Sequence, residues 1–344
     1  MIQPIISVND LVVSFPSEEG EREVIKSVSF DIYKGETIGI VGESGSGKSV
    51  TSLSLMQLLS AGGKIRAGRI VYHDANNNPI DLIGLPESKM RRLRGKSIAM
   101  IFQEPMTSLN PVLTCGKQVA EAIRLHYDIS KEEAHKKTLD LFEQVRLPRA
   151  RQMMKSWPHQ LSGGQKQRVM IAMAISCQPQ LLIADEPTTA LDVTVQKDIL
   201  ELLLRLKEAH NMSMIFITHD LGVTTDIADR VLVMHQGKIV EQGKTKDIFN
   251  HPQHPYTQGL IACRPPLDKR LYRLPIVTDF LSGNTAVINN NQNILSAEKR
   301  KEQHQAMYAQ TSLLKVENIS KRYMQSSGLL GSKKHKHTAV DRVS

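Results

Sequence analysis

The sequence predicts an α/β fold in which helices cover a largely parallel β-sheet. Short apolar runs alternate along the chain with segments whose apolar residues recur at helical spacing, a pattern typical of such folds. The run Leu181–Ala184 is wholly apolar, as expected for a central parallel strand that is buried on both faces. A glycine-rich loop, Gly42–Ser49, joins another apolar strand to a helix. These observations favour an α/β sandwich.

The first 60 residues predict two antiparallel strands, a buried strand and a helix. Polar and apolar residues alternate in Ile6–Phe15 and Val24–Ile32, which therefore read as strands around the acidic turn Ser17–Arg22. Glu36–Val41 reads as a short buried strand, and Ser49–Ser60 reads as a helix with one apolar face.

The loop between that strand and that helix has the sequence GESGSGKS and fits G-x-x-x-x-G-K-[ST], the phosphate-binding loop. Glycines let the backbone turn tightly, so that successive N–H groups point at phosphate oxygens, and the following helix presents its positive end. Lys48 would reach the terminal phosphates, and the Ser49 hydroxyl would hold Mg²⁺. The alternative is a Gly/Ser-rich turn that only caps a helix.

The middle of the chain predicts further elements before and after a proline-containing segment that follows Gln103. The segment Glu104–Pro111 has two prolines and is not expected to form a regular element. The predicted elements are a strand at Arg69–His73, a turn at Asn76–Pro79, a helix at Lys89–Arg94, a strand at Ser97–Phe102, and helices at about 115–127 and 131–146.

The next part of the chain places several polar residues at the ends of predicted elements. Two carboxylates, Asp185 and Glu186, end one apolar strand, and His219 follows another. The predicted elements are a helix from Leu161–Gln165 to about Cys177, the strand Leu181–Glu186, a helix from Asp192, the strand Met212–Thr218, and a hairpin of Arg230–His235 with Lys238–Gly243.

Beyond Gly243 the pattern loosens, and the end of the chain repeats its beginning. Lys315–Tyr323 resembles Ser7–Phe15, and Thr338–Ser344 resembles Glu23–Ser29, in the same order. We therefore predict one complete unit at 1–262, a linker at 263–311, and the opening strands of a second, truncated unit at 312–344. On this interpretation the chain is a fragment or truncated product of a tandem protein; the alternative is chance similarity of two strand pairs.

Composition is ordinary for a globular protein, with 40% hydrophobic and 23% charged residues. Three scattered cysteines argue against a disulfide framework, and neither a signal peptide nor a membrane-spanning run is visible. The formal net charge of +9 is spread along the chain, apart from clusters at Lys89–Lys96 and Lys333–His337, and aromatic residues are only 4%. A solvated basic surface is therefore favoured, and no nucleic-acid partner is expected.

These motifs resemble those of the nucleotide-binding domain of ABC-type ATPases over roughly residues 5–262. The resemblance rests on GESGSGKS, Gln103, the LSGGQ sequence Leu161–Gln165, LLIADE at Leu181–Glu186, Ala190–Asp192 and His219. QEPMTSLNP at Gln103–Pro111 and HPYTQGL at His254–Leu260 are similar to the oligopeptide, dipeptide and nickel importer branch, and the tandem layout resembles glutathione and peptide importers. The resemblance implies a P-loop NTPase core, an antiparallel β subdomain and an α-helical signature subdomain at about 104–178.

In that family ATP lies between two domains arranged head to tail, one supplying the phosphate loop and the other the LSGGQ sequence. The resemblance implies that ATP contacts Phe15, Gly42, Glu43, Ser44, Gly45, Ser46, Gly47, Lys48, Ser49 and Val50. The signature residues that would contact the partner's ATP are Leu161, Ser162, Gly163, Gly164 and Gln165. Ser162 and Gln165 also form a helix-capping box, and both interpretations can hold together.

The resemblance also assigns the catalytic and metal-binding roles. Ser49, Gln103 and Asp185 would bind Mg²⁺, and Glu186 would orient or deprotonate the attacking water, with Gln103 also touching that water. His219 would contact the γ-phosphate, although a lone histidine is more often structural.

Two further residues each have a functional and a structural interpretation. Asp192 would contact the opposite subunit, or would only cap a helix. Phe15 would stack on adenine, or would belong to the core.

The expected function is ATP-driven import of a solute, with peptides as the expected class, at the cytoplasmic face of the bacterial inner membrane. Expected partners are transmembrane permeases, a second ABC domain or second copy, and indirectly a periplasmic solute-binding protein. A soluble tandem ATPase acting on ribosomes is the alternative, and a chain with one phosphate loop and one signature loop could also be inactive alone. Metal sites at His251/His254 or His335/His337 lack supporting ligands, and Cys263 lacks the partners of an iron–sulfur cluster.

Overall fold

The computed structural model describes residues 3–18, 20–103, 108–266, 270–283, 293–327 and 333–344, with the backbone alone for 325–327 and 333–335. It confirms the predicted α/β fold. The described residues divide into two compact units, the first running to Arg264 and resuming at Pro275, and the second comprising Pro265–Leu274 and the segment from Ala286 onward. None of the helices in the described ranges combines the length and the apolar character of a bilayer-spanning segment.

A six-stranded sheet forms the centre of the first unit. Its strands lie in the order β10-β9-β3-β8-β7-β6, and all neighbours are parallel except the β9–β10 hairpin. Every residue of β3, β7 and β8 is buried, because helices and the second sheet cover both faces of these apolar strands. The strands are β3 (Thr37–Val41), β6 (Ile98–Ile101), β7 (Leu181–Asp185), β8 (Ser213–Thr218), β9 (Arg230–His235) and β10 (Lys238–Lys244).

A four-stranded antiparallel sheet, in the order β2-β1-β4-β5, packs in the same unit. The alternation of β1 turns Ile6, Val8, Leu11 and Val13 into the core. The strand Lys64–His73 begins five residues before the start that the sequence predicts, because Val12 and Ser14 of β1 pair with its first half. The strands are β1 (Pro4–Ser17), β2 (Gly20–Tyr33), β4 (Lys64–His73) and β5 (Pro79–Asp81).

The helices of the first unit follow the predicted order, with one clear difference in length. The helix after the glycine-rich loop ends at Leu55 rather than Ser60, because Gln57 adopts a left-handed backbone conformation that no α-helix continues. The helices are Lys48–Leu55, Glu87–Leu93, Cys115–His126, Lys131–Gln144, Ala150–Met153, Gly163–Ile175, Val193–His210, Leu221–Ile227, Thr245–Asn250, Pro255–Ala262 and Val277–Leu281.

The region predicted as a linker contains structure. The Val277–Leu281 helix packs against Pro255–Ala262 so closely that a Cβ on Gly259 would lie 3.1 Å from the Val277 Cα. Three prolines and the polar run at 284–293 led the sequence pattern to favour a linker, because a five-residue helix leaves too little periodicity to detect. The second unit contains a charged helix, Ala297–Tyr308. Residues 284–292 lie outside the described ranges.

The last two strands, β11 (Ile319–Ser327) and β12 (Lys333–Val343), form an antiparallel hairpin whose register repeats that of β1 and β2. Leu11 faces Val28, and Ile319 faces Val343. The other equivalent pairs are Val13–Ile25 with Lys321–Val340, Ser14–Glu23 with Arg322–Thr338, and Phe15–Arg22 with Tyr323–His337. The register shifts fall at the same places in both hairpins.

Backbone details at the start of each hairpin also coincide. Asp10 has a φ of 48° and its N–H donates to the Ser29 Oγ at 2.8 Å. Asn318 has a φ of 50° and its N–H donates to the Ser344 Oγ at 2.9 Å. A left-handed residue is uncommon outside glycine, so its recurrence at equivalent positions indicates the same local structure twice in one chain.

Candidate functional site

The glycine-rich loop forms a cradle between β3 and the Lys48–Leu55 helix. Gly42 has a φ of 152°, and a Cβ there would lie 2.2 Å from the Met234 carbonyl oxygen, so only glycine fits. Gly47, with a φ of 105°, begins the helix. The Ser46 Oγ is buried and has no hydrogen-bond partner among the residues that the structure describes. An oxygen-rich anion at the helix N-terminus would accept hydrogen bonds from the Ser46 hydroxyl and from the backbone N–H groups of the loop.

Lys48 is 5% exposed and reaches back across the loop. Its Nζ donates to the carbonyl oxygens of Gly42 and Glu43, each at 2.8 Å. Burial lowers the pKa of Lys48, against the opposing effect of the carboxylates of Glu186, Asp185 and Glu43. The ammonium group of Lys48 is therefore desolvated and lies at the phosphate loop, where it can bind phosphate.

Asp185 lies at the carboxyl end of β7, directly beside the loop. The Ser49 Oγ donates to its Oδ1 at 3.1 Å. Burial raises the pKa of Asp185 to about 6, and the Glu186 carboxylate contributes in the same direction, while Ser49 and Lys48 oppose the shift. Ser49 and Asp185 offer one hydroxyl oxygen and one carboxylate oxygen, which are suitable ligands for Mg²⁺. Substrate phosphates and water would complete the coordination of the ion.

Glu186 contacts side chains from two distant segments and one from the turn that follows it. Its Oε2 accepts from the Thr189 Oγ1 at 2.8 Å and from the Gln103 Nε2 at 3.3 Å, and it lies 3.2 Å from the His219 Nδ1. Glu186 itself has a φ of 46°, which turns the chain sharply after β7 and aims the carboxylate at this cluster. A strained backbone of this kind is typical of functional sites.

A cleft of about 160 Å³ separates the loop from this cluster. Six of the predicted ATP-contacting residues line it together with Gln103 and Glu186. Those six are Ser44, Gly45, Gly47, Lys48, Ser49 and Val50. The cleft is the site that the fold builds at the carboxyl ends of the parallel strands.

Two residues of the site were missed by the sequence analysis. Val24 lines the cleft from the start of β2, and Thr189 donates to Glu186. Val24 was expected only as a strand residue, and its contact depends on the packing of the antiparallel sheet over the loop. Thr189 lies only three residues after Glu186, so its proximity in sequence was the one available signal.

The signature residues Leu161–Gln165 lie outside that cleft. Ser162 caps the Gly163–Ile175 helix, with its Oγ accepting from the Gln165 N–H at 3.4 Å and its own N–H donating to the Gln165 Oε1 at 3.0 Å. The predicted capping box is thus present. A Cβ on Gly164 would lie 2.7 Å from Val195, so this glycine permits close packing against the next helix. Gly163 and Ser162 remain exposed.

In the structure Asp192 caps a helix and Phe15 packs partly against the core, as their alternative interpretations expected. The Asp192 Oδ1 accepts from the Val195 N–H at 2.9 Å and caps the Val193–His210 helix. Phe15 is half-buried near the end of β1, and a Cβ on Gly63 would lie 2.6 Å from its ring. It is not among the residues that line the 160 Å³ cleft. Contacts of Asp192 with an opposite subunit and of Phe15 with adenine would therefore use the exposed parts of these side chains.

The other candidate metal ligands have structural roles or lie outside the description. The His254 Nδ1 accepts from the Tyr256 N–H and caps the Pro255–Ala262 helix. The three cysteines are free. Within the described ranges, no group of three or more His, Cys, Asp or Glu side chains could hold a metal ion. The His335 side chain and the first half of the Glu104–Pro111 loop, at 104–107, lie outside the described residues.

Comparison with known proteins places this site in a family. Residues 25–189 match the model of the ABC transporter family, and residues 240–283 match that of the oligopeptide/dipeptide transporter C-terminal region. Residues 25–189 therefore belong to the ABC transporter family. The match confirms the resemblance to ABC-type nucleotide-binding domains that the motifs predicted.

Curated relatives are similar over almost the whole chain. Glutathione import ATP-binding protein GsiA of Pectobacterium atrosepticum is 46% identical over 344 residues, which is 99% of this chain and 54% of the relative. The GsiA protein of Salmonella typhimurium is also 46% identical, over 342 residues, with the same coverage. The chain spans about half the length of these curated relatives.

Solved structures of ABC cassettes share the fold. A dimeric cassette, MJ0796, in a post-hydrolysis state bound to ADP and Pi has a TM-score of 0.62 and 28% identity, covering 70% of this chain and 98% of that one. The cbiO1 protein of Clostridium perfringens, part of an ABC transporter complex, has a TM-score of 0.60 and 27% identity, covering 72% and 91%.

The raised pKa of Asp185 predicts a stability effect of Asp185→Asn in the absence of nucleotide. A carboxyl whose pKa rises on folding favours the folded state most below its unfolded pKa of 3.8, and that contribution is lost as the pH rises through about 6. At pH 8 we expect the variant to be more stable than the parent, by up to about 3 kcal/mol for two pKa units. Near pH 4 the difference should vanish.

Urea unfolding of both chains at the two pH values measures the difference. Glu208→Gln, on the exposed surface of the Val193–His210 helix, is a matched carboxylate-to-amide control. A variant that is no more stable than the parent at pH 8 would contradict the burial effect.

Proposed function

We propose that this chain is the ATP-binding and ATP-hydrolysing part of an importer for peptides or glutathione. The observation that carries this proposal is the convergence of Gln103, Thr189 and His219 on the Glu186 carboxylate, beside Lys48 and Asp185. The names of the GsiA relatives and the match to the oligopeptide/dipeptide transporter region support the solute class.

The phosphate chain of ATP would lie in the loop Gly42–Ser49. The loop N–H groups and the helix N-terminus would bind its oxygens, and Lys48 would neutralise charge on the β- and γ-phosphates. The Ser46 Oγ, which has no partner within the described part of the chain, would gain a hydrogen bond from this contact. Phe15, half-buried near the end of β1, would stack on adenine through the exposed part of its ring.

Ser49 and Asp185 fit a Mg²⁺ site, with Gln103 near it. When bound, the ion would neutralise phosphate charge and hold the phosphates in line with the attacking water. The 3.1 Å contact between Ser49 and Asp185 already brings the two ligands to one point.

Glu186 would orient and deprotonate the attacking water. Three side chains hold its carboxylate in place, which fixes the direction of proton acceptance. His219 is 62% exposed on its side chain and lies beside that carboxylate, so it can also contact the γ-phosphate. Rate enhancement here would come from positioning and charge stabilisation, with no covalent intermediate.

Each complete site would require a second cassette. Ser162, Gly163 and Gly164 are at a helix N-terminus, and none of them lines the cleft at the phosphate loop, which suits contact with a partner's γ-phosphate. Asp192, close to the signature loop through Val195, would lie at the same interface. The dimeric state of the cassette neighbour bound to ADP and Pi supports this arrangement.

The second cassette would begin with the hairpin of β11 and β12. Its register and its left-handed Asn318 match the first hairpin, and the curated relatives are nearly twice as long as this chain. We infer a tandem protein with residues 1–262 as the first cassette and 312–344 as the start of the second. A homodimer of this chain would be the other source of two complete sites.

A permease would contact the apolar groove next to Gln103. The groove has a volume of about 380 Å³ and lies between the end of β6 and the Cys115–His126 and Gly163–Ile175 helices. Leu58, Phe102 and Leu125 are exposed at this groove, and Phe102 precedes Gln103. A cytoplasmic helix of a membrane subunit would bury these side chains and connect to the ATP site through the Glu104–Pro111 loop.

This arrangement would place the chain peripherally at the cytoplasmic face of the inner membrane. A periplasmic solute-binding protein would act on the same permease indirectly. The alternative of a soluble ATPase acting on ribosomes is not favoured, because the curated relatives are named as import proteins and residues 240–283 match a transporter region.

Glu186→Gln should abolish ATP turnover and preserve ATP binding. The amide keeps the shape of the side chain and its bond to Thr189 but cannot accept the proton of the water. We expect hydrolysis to fall at least about a hundredfold, within the usual contribution of a general base. Phosphate release and equilibrium nucleotide binding measure the two properties, with Glu208→Gln as the control. Near-normal hydrolysis by Glu186→Gln would reject the assigned role.

The Glu186→Gln chain should also dimerise when MgATP is added. Bound ATP would join the phosphate loop of one copy to the signature loop of the other, and blocked hydrolysis would prevent release. Sedimentation with MgATP, MgADP and no nucleotide measures the effect, and the same chain with Lys48→Ala should stay monomeric. A chain that remains monomeric with saturating MgATP would show that the second cassette is required.

A further inference from the structure

The buried Tyr256 reaches the phosphate loop from a different part of the sequence. It is 0% exposed and lies at the start of the Pro255–Ala262 helix, within the region matched to the oligopeptide/dipeptide transporter model. Its hydroxyl accepts a hydrogen bond from the Glu43 N–H at 2.9 Å. The contact joins residues that are 213 positions apart in the chain.

The Glu43 N–H belongs to the same peptide group as the Gly42 carbonyl. That carbonyl accepts from the Lys48 Nζ at 2.8 Å. One rigid peptide plane therefore has Tyr256 on its N–H side and Lys48 on its C=O side. Because Gly42 lacks a Cβ and has a φ of 152°, the backbone alone restrains this plane weakly.

Tyr256 is itself held firmly. Its ring lies against the His235 ring with 4.0 Å between centroids, and it packs in a cluster with Val41, Leu221 and Val233. Burial raises the pKa of Tyr256 to about 12, and the charge of Glu43 contributes in the same direction. The hydroxyl consequently stays protonated.

We propose that Tyr256 is a positioning residue for the ATPase reaction: its hydroxyl fixes the Gly42–Glu43 peptide so that the Gly42 carbonyl orients Lys48 toward the phosphates. This inference rests on the proposed assignment of Gly42–Ser49 as the ATP site. It also couples the Pro255–Ala262 helix to nucleotide. By linkage, if docking of this helix favours ATP binding, then ATP binding stabilises the docked helix.

The test uses the full chain with Glu186→Gln and adds one of three changes: Tyr256→Phe, Tyr72→Phe or Lys48→Ala. Tyr72 is the matched control, because it is also buried, at 1% exposed, and bonds through its hydroxyl to Gln180 away from the loop. We expect Tyr256→Phe to weaken MgATP binding about fivefold to tenfold, the effect of one hydrogen bond, and Tyr72→Phe to leave it unchanged. Thermal unfolding verifies that each variant is folded.

Hydrogen exchange of residues 255–262 provides a second readout that simple loss of packing would not reproduce. MgATP should slow exchange in the chain that retains Tyr256, and the protection should be lost in Tyr256→Phe. No protection in the Tyr256 chain would overturn the proposal, even if the variant fails to fold.

The two assignments fail in distinguishable ways. If Lys48→Ala abolishes binding while Tyr256→Phe binds like its parent, the ATP site stands and the role of Tyr256 is rejected. If Lys48→Ala binds MgATP normally, the loop assignment fails, and the role of Tyr256 falls with it.

Discussion

Parallel pairing of β3, β6, β7 and β8 is the constraint on which the site depends. These strands all end at the same edge of the sheet, so residues that follow them in sequence become neighbours in space. Gln103, Glu186 and His219 come from three separate segments, yet meet at one carboxylate. The parallel pairing of the strands brings these positions close together. The chemistry of the site then depends on which side chains stand there and on the sharp turn after β7.

The site is assembled at some expense to stability. Lys48 and Asp185 are buried and each would be more favourably charged in water, as the directions of their pKa shifts indicate. Glu186 adopts a left-handed conformation, which is strained for a residue with a side chain. A bound polyphosphate and its cation would satisfy these groups together. The surrounding apolar core, which covers both faces of the sheet, holds them in place without ligand.

The sequence predicted most of this arrangement, because the decisive residues lie in short motifs at element ends. The strand order within the sheet, the early end of the first helix at Leu55 and the Val277–Leu281 helix were not predictable, since each depends on tertiary packing. The contact of Tyr256 with Glu43 spans 213 positions and has no local signal. For Ser162 and Asp192 the structure contains the helix caps, so their roles toward a partner remain predictions.

On the proposed mechanism, one ATP site is shared between the phosphate loop of one cassette and the signature loop of another. Mixing Lys48→Ala chains with Ser162→Arg chains tests it directly. Neither variant should hydrolyse MgATP alone, but a mixed dimer keeps one site with both loops intact. Because one of the two sites in each mixed dimer is intact, activity should recover to at most about half of the parent activity. No recovery from a mixture that demonstrably forms mixed dimers would contradict the claim.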